Sequence, residues 1–593
     1  MAPKKRSRVG EDKVEQVKVQ ATNPTGAGRR RGSFTRSPSF DSKNVVSPLS
    51  AAQFPPESFE EMMEEAEDSL ADTLGAIVKV IAKHTEPNFS LPWQMRHQAS
   101  SSSTGFCIEG KKILTNAHSV EYHSLVKVKK RGDDRKYVAT VLAIGRECDI
   151  AMLMVEDDAF WEGVVPLTFG DLPHLQESVT VVGYPIGGDN ISITQGVVSR
   201  IDLQQYAHGS IELLAVQIDA AINSGNSGGP AISSDRECIG IAFQSLKGDA
   251  ENIGYIIPTP IIQHFLEDFE KNKKYTGFCD LGVFIQQLEN PQMKAALKME
   301  KSDKGVLVLK VMKTSPAAKV LRRFDVLTHF NGHPIASDGS VDFRNGERIF
   351  FSYLFHTMFA GEEAQVSFIR NGEKQSATVT LKPREPLVPS HIEERAPSYF
   401  IFAGLVFTVL TEPYMKAEYG DNFDYESPVQ FLRKWLTSSR EELNEEVVVL
   451  SQVLAHEVNV GFEVNNIVLR KVNGVKVKNL RSVVELALAI TEAPKVTDEK
   501  TPDFCPAIDD NMVKFEFEDD EVMILGREEA LAATATILSQ HNIPSALSSD
   551  MSDLSSSLDD HSTVEQKPRA ATASRQKGSG GKKNQKRKRQ EKK

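Results

Sequence analysis

Cysteine is scarce in this chain of 593 residues. The five cysteines are odd in number and far apart, and none lies in a Cys-x-x-Cys or Cys/His metal-ligand spacing. This usage argues against a disulfide-stabilised fold and against a structural zinc site, and it is typical of a reducing compartment. We therefore expect neither a metal ion nor another cofactor.

Long apolar runs and nucleotide-binding motifs are also missing. The longest apolar run, from Phe400 to Leu410, is about half as long as a membrane-spanning helix, and Gly404 interrupts it. The chain contains no Gly-x-x-x-x-Gly-Lys-Ser/Thr motif, which would bind the phosphates of ATP. These absences predict a protein that does not contact membranes and does not unfold its partners with ATP.

The formal net charge of −11 hides two basic ends. Residues 1–36 carry ten Lys/Arg and three Asp/Glu, and residues 566–593 carry twelve Lys/Arg and one Glu. Such compositions are typical of disordered segments. Pro3–Val9 and Lys586–Arg589 resemble nuclear import signals, which favours the nucleus or nucleolus. Organelle import through the N-terminal segment, and weak nucleic-acid contact by the tails, are the alternatives.

The most informative segment surrounds Ser227, in the sequence Gly-Asn-Ser-Gly-Gly-Pro of residues 225–230. Glycines give the backbone unusual torsion angles and let a substrate carbonyl approach backbone N–H groups. A glycine-rich turn next to an apolar run would account for this segment equally well if it stood alone. Two upstream motifs supply what a nucleophilic serine needs. His118 ends an apolar strand-like run, and Asp149 precedes another.

The order His118, Asp149, Ser227 is that of the chymotrypsin fold. Serine is a weak nucleophile until a histidine accepts its proton, and a carboxylate holds the histidine in the useful tautomer. We predict that these three residues form a catalytic triad.

The three motifs resemble those of the Deg/HtrA serine proteases. These motifs are Thr115–His118, Asp149–Leu153 and Gly225–Pro230, and the asparagine before the serine separates this family from digestive trypsins. The segment from Thr85 to Trp93 is similar to the plant-type branch of the family. The resemblance implies a serine endopeptidase that assembles into trimers or multiples of trimers.

The resemblance also implies site residues around the triad. The backbone of Gly225, Asn226 and Ser227 would form the oxyanion hole, with the N–H groups of Gly225 and Ser227 as donors. Trypsins carry an aspartate six residues before the serine, where this chain has Ala221. Ala221 and Ile222 would face a wall formed by Ile241, Ala242 and Phe243. Such an uncharged pocket favours small or medium apolar P1 residues.

The rest of the chain suggests two further modules. Leu281, Gly282 and Val283 resemble the PDZ loop that binds a peptide's C-terminal carboxylate, although a domain without a ligand is the alternative. Repeated Asn-Gly strands, at Asn331 and Asn473, suggest an internal repeat. We predict a mainly β protein in which a chymotrypsin-like double β-barrel precedes two PDZ-like α+β domains, with disordered basic termini. The predicted regions are 1–69 (disordered), 70–272 (protease), 277–385 and 398–545 (PDZ-like, the second with an aromatic insertion) and 546–593 (disordered).

Two classes of function follow from these predictions. The first is an ATP-independent serine endopeptidase that hydrolyses misfolded or regulatory polypeptides. The second is a chaperone-like, peptide-binding scaffold whose protease site is mostly at rest. Polypeptide substrates and a homo-oligomer are expected in both cases, and C-terminal peptides are candidate ligands of the PDZ-like modules.

Overall fold

The computed structural model describes residues 71–206, 211–245, 253–344, 346–488 and 511–555. The predicted basic tails with their import-like motifs lie outside the described residues, as does Cys505. Within the described ranges, no helix combines the length and the apolar character needed to cross a membrane.

The first module begins with a six-stranded barrel. Its strands are β1 (Ile77–His84), β2 (Ala99–Ile108), β3 (Lys112–Thr115), β4 (His123–Lys130), β5 (Tyr137–Gly145) and β6 (Ile150–Met154). They close in the antiparallel order β1-β2-β3-β6-β5-β4. In β1, Val78, Val80 and Ala82 are buried, while Lys79 and Ile81, which lie between them, are more exposed. This alternation is what a strand with one buried face requires.

A second barrel follows the short helix α1 (Asp158–Trp161). Its strands are β7 (Ser178–Gly183), β8 (Ser192–Gln205), β9 (Glu212–Ile218), β10 (Pro230–Ile232), β11 (Cys238–Ser245) and β12 (Gly254–Pro258). They close in the order β10-β11-β12-β9-β8-β7. The predicted mainly β class and the double barrel are confirmed.

Helix α2 (Thr259–Asn272) packs the second barrel's end against the first. Pro260 lies in its first turn, where a missing N–H costs nothing. Phe265 is fully buried against Gly145, so closely that a Cβ at Gly145 would lie 2.9 Å from the Phe265 ring. This contact fixes the turn that follows β5.

The second module is built on one antiparallel sheet. Its elements are β13 (Cys279–Asp280), β14 (Val283–Gln286), α3 (Pro291–Ala296), β15 (Val306–Val311), β16 (Val326–Phe330), β17 (His333–Pro334), β18 (Ser340–Arg344), β19 (Glu347–Phe350), α4 (Ser352–His356), β20 (Glu363–Arg370), β21 (Glu373–Thr380) and β22 (Lys382–Pro383). The strand order of the sheet is β14-β15-β16-β20-β21, with β17 paired to β16. The buried carboxylate of Asp325 forms an ion pair with the guanidinium of Arg370, at 2.6 Å. This ion pair connects the start of β16 to the end of β20.

The third module repeats this plan. Its elements are β23 (Tyr399–Phe402), β24 (Leu405–Val409), α5 (Glu412–Tyr419), α6 (Phe423–Glu426), α7 (Val429–Thr437), β25 (Val448–Val453), β26 (Ile467–Val472), β27 (Val475–Lys476), α8 (Leu480–Ala487), β28 (Met512–Phe517), β29 (Val522–Gly526) and α9 (Arg527–Gln540). The sheet order is β23-β24-β25-β26-β28-β29. Asn331-Gly332 and Asn473-Gly474 occupy the equivalent hairpin turns, and all four residues have positive φ, as a type I′ turn requires.

The aromatic insertion of the third module packs onto the first module. Tyr414 and Phe423 share one apolar cluster with Phe89 and Tyr122 of the first barrel's loops. Trp93 packs edge-on against Tyr399, with ring centroids 5.9 Å apart. Phe89 and Trp93 therefore serve packing within one chain.

The folded region extends past residue 545, which corrects the predicted start of the disordered tail. Leu547, Met551 and Leu554 are buried against the third module, the last two on a 3-10 helix at Ser549–Leu554. The Ser/Asp-rich composition obscured these three apolar residues, which recur at helical spacing.

Candidate active site

His118 and Asp149 meet at the edge of the first barrel. His118 lies on a 3-10 turn (Ala117–Ser119) directly after β3, and Asp149 directly precedes β6, the strand paired with β3. The His118 Nδ1 is 2.8 Å from Asp149 Oδ2, and Asp149 Oδ1 accepts the His118 backbone N–H at 3.0 Å. The carboxylate therefore fixes both the ring and the backbone of the histidine.

Further hydrogen bonds hold the two loops together. The Asn116 side chain donates to the Asp149 carbonyl at 2.9 Å, and the Ala117 N–H donates to the same oxygen at 3.2 Å. Asp149 is fully buried and takes a positive φ of 52°. This backbone conformation is uncommon for a residue other than glycine, and such residues cluster at functional sites.

Burial and charge act in opposite directions on the histidine. Desolvation lowers the pKa of His118, but the Asp149 charge and hydrogen bond, together with Glu121, outweigh it, so that the pKa is raised. A carboxylate that stabilises an imidazolium in this way supports the histidine as a general base.

Ser227 comes from the second barrel and reaches the first. Its carbonyl accepts the Thr104 N–H at 3.0 Å, and the Thr104 hydroxyl donates to the Gly225 carbonyl at 2.7 Å. Next to it, a Cβ at Gly228 would lie 3.1 Å from the Asn116 nitrogen. The structure thus brings the loop of Ser227 against the segment that ends in His118.

The three residues predicted to form the oxyanion hole differ in whether their backbone N–H groups are free to bind an oxyanion. Gly225 has a φ of 102°, which requires glycine, and a Cβ there would lie 2.5 Å from the Tyr184 carbonyl oxygen. The N–H of Asn226 donates to the Asn223 carbonyl at 2.9 Å, so this group of the predicted three is already engaged. Within the described residues, the N–H groups of Gly225 and Ser227 have no such intramolecular acceptor.

The asparagine before the serine is fully buried. Neither its amide nitrogen nor its amide oxygen has a hydrogen-bond partner among the described residues. A Cβ at Gly183 would lie 2.8 Å from the Asn226 Cα, so the backbones pack without a gap. A neutral amide tolerates this environment better than a carboxylate, whose charge would be buried without a cation.

The three residues predicted to form the pocket wall do not lie on the same face of their strand. Alternate residues of a strand face opposite sides, and the three predicted wall residues of β11 follow this rule. Ala242 packs in the core of the second barrel together with Ile222, whereas Phe243 contacts Tyr206 on the other face, with ring centroids 4.5 Å apart. Ile241 shares the face of Phe243.

The base of the predicted pocket remains apolar. Ala221 is partly exposed, and its carbonyl accepts the Thr194 hydroxyl at 2.9 Å. Ile222 lies under Gly254 of β12, where an added Cβ would lie 2.8 Å from the Ile222 Cδ1. The contacts of Ile222 at this position are therefore apolar.

The predicted carboxylate loop of the second module is occupied by the chain itself. Leu281 is buried, Gly282 has a φ of 74°, and Val283 pairs with Val311 in β15. The Gly282 N–H donates to the carboxylate of Asp280, which burial holds at a raised pKa. Asp280 thus engages one of the N–H groups that were predicted to bind a peptide's carboxylate.

Sequence reasoning missed several charged residues beside the catalytic pair. Arg146 is nearly buried between Glu121, at 3.1 Å, and Glu394, at 3.5 Å. Glu394 lies 272 residues from Tyr122, whose N–H it accepts, so no local pattern connects them.

Comparison with protein families matches all three modules. Residues 103–241 match the trypsin-like peptidase domain, and residues 279–381 and 388–550 each match a PDZ domain. Protease Do-like 2, chloroplastic, of Arabidopsis thaliana is 48% identical over 483 residues, which cover 81% of this chain and 76% of that protein. Putative protease Do-like 3, mitochondrial, of the same plant is 40% identical over 479 residues, with coverages of 81% and 80%. Among solved structures, the HtrA-type protease AlgW with decapeptide is 22% identical, has a TM-score of 0.43, and covers 54% of this chain and 99% of its own.

These relatives contradict the predicted nuclear location. Both plant proteins carry names that place them in organelles, one in the chloroplast and one in mitochondria. The basic tails on which the nuclear prediction depended resemble import signals in composition alone, and basic segments also occur in organelle transit peptides.

Proposed function

The chain belongs to the Deg/HtrA, or Do-like, family of serine proteases, and we propose that it cleaves polypeptides without ATP through an acyl-enzyme on Ser227. The observation that carries this proposal is the His118–Asp149 hydrogen bond beside the loop of Ser227. Trypsin-like peptidase and PDZ domains in one chain are the arrangement expected for such an enzyme.

Each residue has a definite step in this mechanism. His118 accepts the Ser227 hydroxyl proton as the oxygen attacks the substrate carbonyl, and it then returns the proton to the leaving amine. Asp149 stabilises the imidazolium through its bond to Nδ1. The N–H groups of Gly225 and Ser227 stabilise the tetrahedral oxyanion.

The substrates we propose are flexible or misfolded polypeptide segments with a small or medium apolar residue at P1. The small side chain of Ala221 and the apolar side chain of Ile222 support this preference, because Ala221 stands where trypsins carry the aspartate that binds a basic P1 residue. We further propose that the protein forms a homo-oligomer built from trimers. We also propose an organellar location, and the names of the plant relatives favour this location.

Peptide binding by the PDZ domains is proposed with one condition. A C-terminal carboxylate that enters the loop of the second module must displace Asp280 from the Gly282 N–H. A peptide that is bound by backbone pairing to the edge strand β14 does not have to meet this condition.

The experiment that tests the function is degradation of β-casein without ATP. We expect wild-type protein to cleave it, Ser227→Ala to be inactive, and the matched control Ser199→Ala, at an exposed position of β8, to behave as wild type. Mass spectrometry of the products should show cuts after Ala, Val or Leu. Cuts after Lys or Arg would contradict the pocket assignment, and cleavage that persists in Ser227→Ala would contradict the nucleophile.

A further inference from the structure

The linker between the second and third modules passes beside the catalytic pair. We define this linker as residues 384–398, between β22 and β23. The Glu394 carboxylate accepts the Tyr122 backbone N–H at 3.1 Å and lies 3.5 Å from the guanidinium of Arg146. His123 Nδ1 is 3.8 Å from the same carboxylate oxygen.

Arg146 connects this carboxylate to both catalytic loops. Its Nε is 3.1 Å from Glu121, three residues after His118, and its carbonyl accepts the Asp149 N–H. The Arg146 side chain is about one-tenth exposed, and its two carboxylate partners offset the cost of burying its charge. Arg146, which forms part of the turn before Asp149, is thus held in place by a residue of the linker.

The linker makes two further contacts with the same region. Its His391 Nε2 lies 3.8 Å from Glu147, in the turn between Arg146 and Asp149. Its Ile392 packs with Tyr122 in the apolar cluster that joins the first and third modules. The docked linker therefore touches the segments after His118 and before Asp149.

Backbone geometry directs the Glu394 carboxylate into this site. Glu393 and Glu394 both take positive φ, 50° and 60°, a conformation that non-glycine residues rarely adopt. A strained backbone conformation persists where the surrounding contacts hold it in place. Here the contacts that hold it are those of the Glu394 carboxylate.

We propose that Glu394 is a positioning residue that keeps His118 and Asp149 in register through Arg146 and Tyr122. The inference rests on the proposed protease function. It makes docking of the linker, and with it the third module, a condition for full activity of the triad.

The test compares Glu394→Ala with Glu393→Ala. Glu393 is exposed and has the same type of backbone conformation, so the control reproduces the backbone effect without the carboxylate contacts. Each full-length variant is assayed on a quenched peptide with an alanine at P1, by the rate of Ser227 labelling with a fluorophosphonate, and by thermal unfolding. Glu394→Gln removes the charge but keeps an oxygen for the Tyr122 N–H.

We expect Glu394→Ala to lower kcat and the labelling rate about tenfold and to leave KM within about twofold, because a displaced base slows chemistry rather than binding. Glu394→Gln should lose about threefold, and Glu393→Ala should match wild type. The thermal midpoint should move by less than about 2 °C, because the Glu394 carboxylate is partly exposed and Arg146 keeps Glu121 as a partner at 3.1 Å.

Three results would overturn the inference. They are an unchanged kcat in Glu394→Ala, an equal loss in Glu393→Ala, and a loss that appears in KM or follows the thermal midpoint. If wild type is labelled and turns over substrate while Ser227→Ala does not, these results count against Glu394 alone. If wild type and Ser227→Ala are equally inactive, the proposed function and the inference fail together.

Discussion

Replacing Asp149 with asparagine tests the catalytic pair most directly. Asp149 Oδ1 accepts the His118 backbone N–H at 3.0 Å, and the His118 Nδ1 is closer to Oδ2, at 2.8 Å, than to Oδ1, at 3.0 Å. An asparagine that keeps its oxygen on the backbone N–H must turn its NH₂ group toward Nδ1. It then stabilises the tautomer whose Nε2 carries the proton and cannot accept one from Ser227.

The expected loss is large and specific to kcat. In other triads the same change costs on the order of 10⁴ in kcat, which corresponds to about 5.5 kcal/mol of transition-state stabilisation. Steady-state kinetics on the quenched peptide, with Asp171→Asn at an exposed position as the control, would measure it. A kcat within tenfold of wild type, in a variant that unfolds at the wild-type temperature, would refute the role of Asp149.

Three further predictions use other parts of the structure. The pKa of His118 is raised above its usual 6.5, and the neutral ring is the active form, so kcat should rise with pH through a midpoint above 6.5. Gly228→Ala should abolish activity and lower the thermal midpoint, because its methyl group would lie 2.5 Å from the Thr115 hydroxyl, whereas Gly132→Ala, with open space around it, should cost about 1 kcal/mol of stability in a denaturant titration. Burial raises the pKa of Cys107 and of Cys238 to about 12, so iodoacetamide at pH 8 should modify both in guanidinium and neither in the native protein, as peptide mapping would detect.

Short contiguous motifs made the candidate site predictable. Each of the segments around His118, Asp149 and Ser227 encodes its own turn, and strand pairing then brings two of them together. The divided wall at Phe243 could not be predicted in this way, because which face of β11 a residue takes depends on the register with its neighbours. The engaged N–H of Asn226 depends on the conformation of a turn, which the sequence of glycines permits but does not determine.

Long-range contacts were beyond the reach of sequence patterns. Glu394 stands in a linker of mixed composition, and its role depends on contacts with residues far away in the chain. Composition also misled at the C-terminal end, where Leu547, Met551 and Leu554 are separated by serines and aspartates. The spacing of these three residues is that of one helix face, but the polar composition around them favoured a disordered segment.

The apolar cluster that contains Phe89 and Tyr122 bears on when the enzyme can act during its own synthesis. Its other members include Leu410, Tyr414 and Phe431, which leave the ribosome more than 300 residues after Phe89. A nascent chain that has completed both barrels still exposes this surface, and its loop after His118 still lacks the support described above. By the proposal made for Glu394, the site is complete only after the third module has been synthesised and has docked.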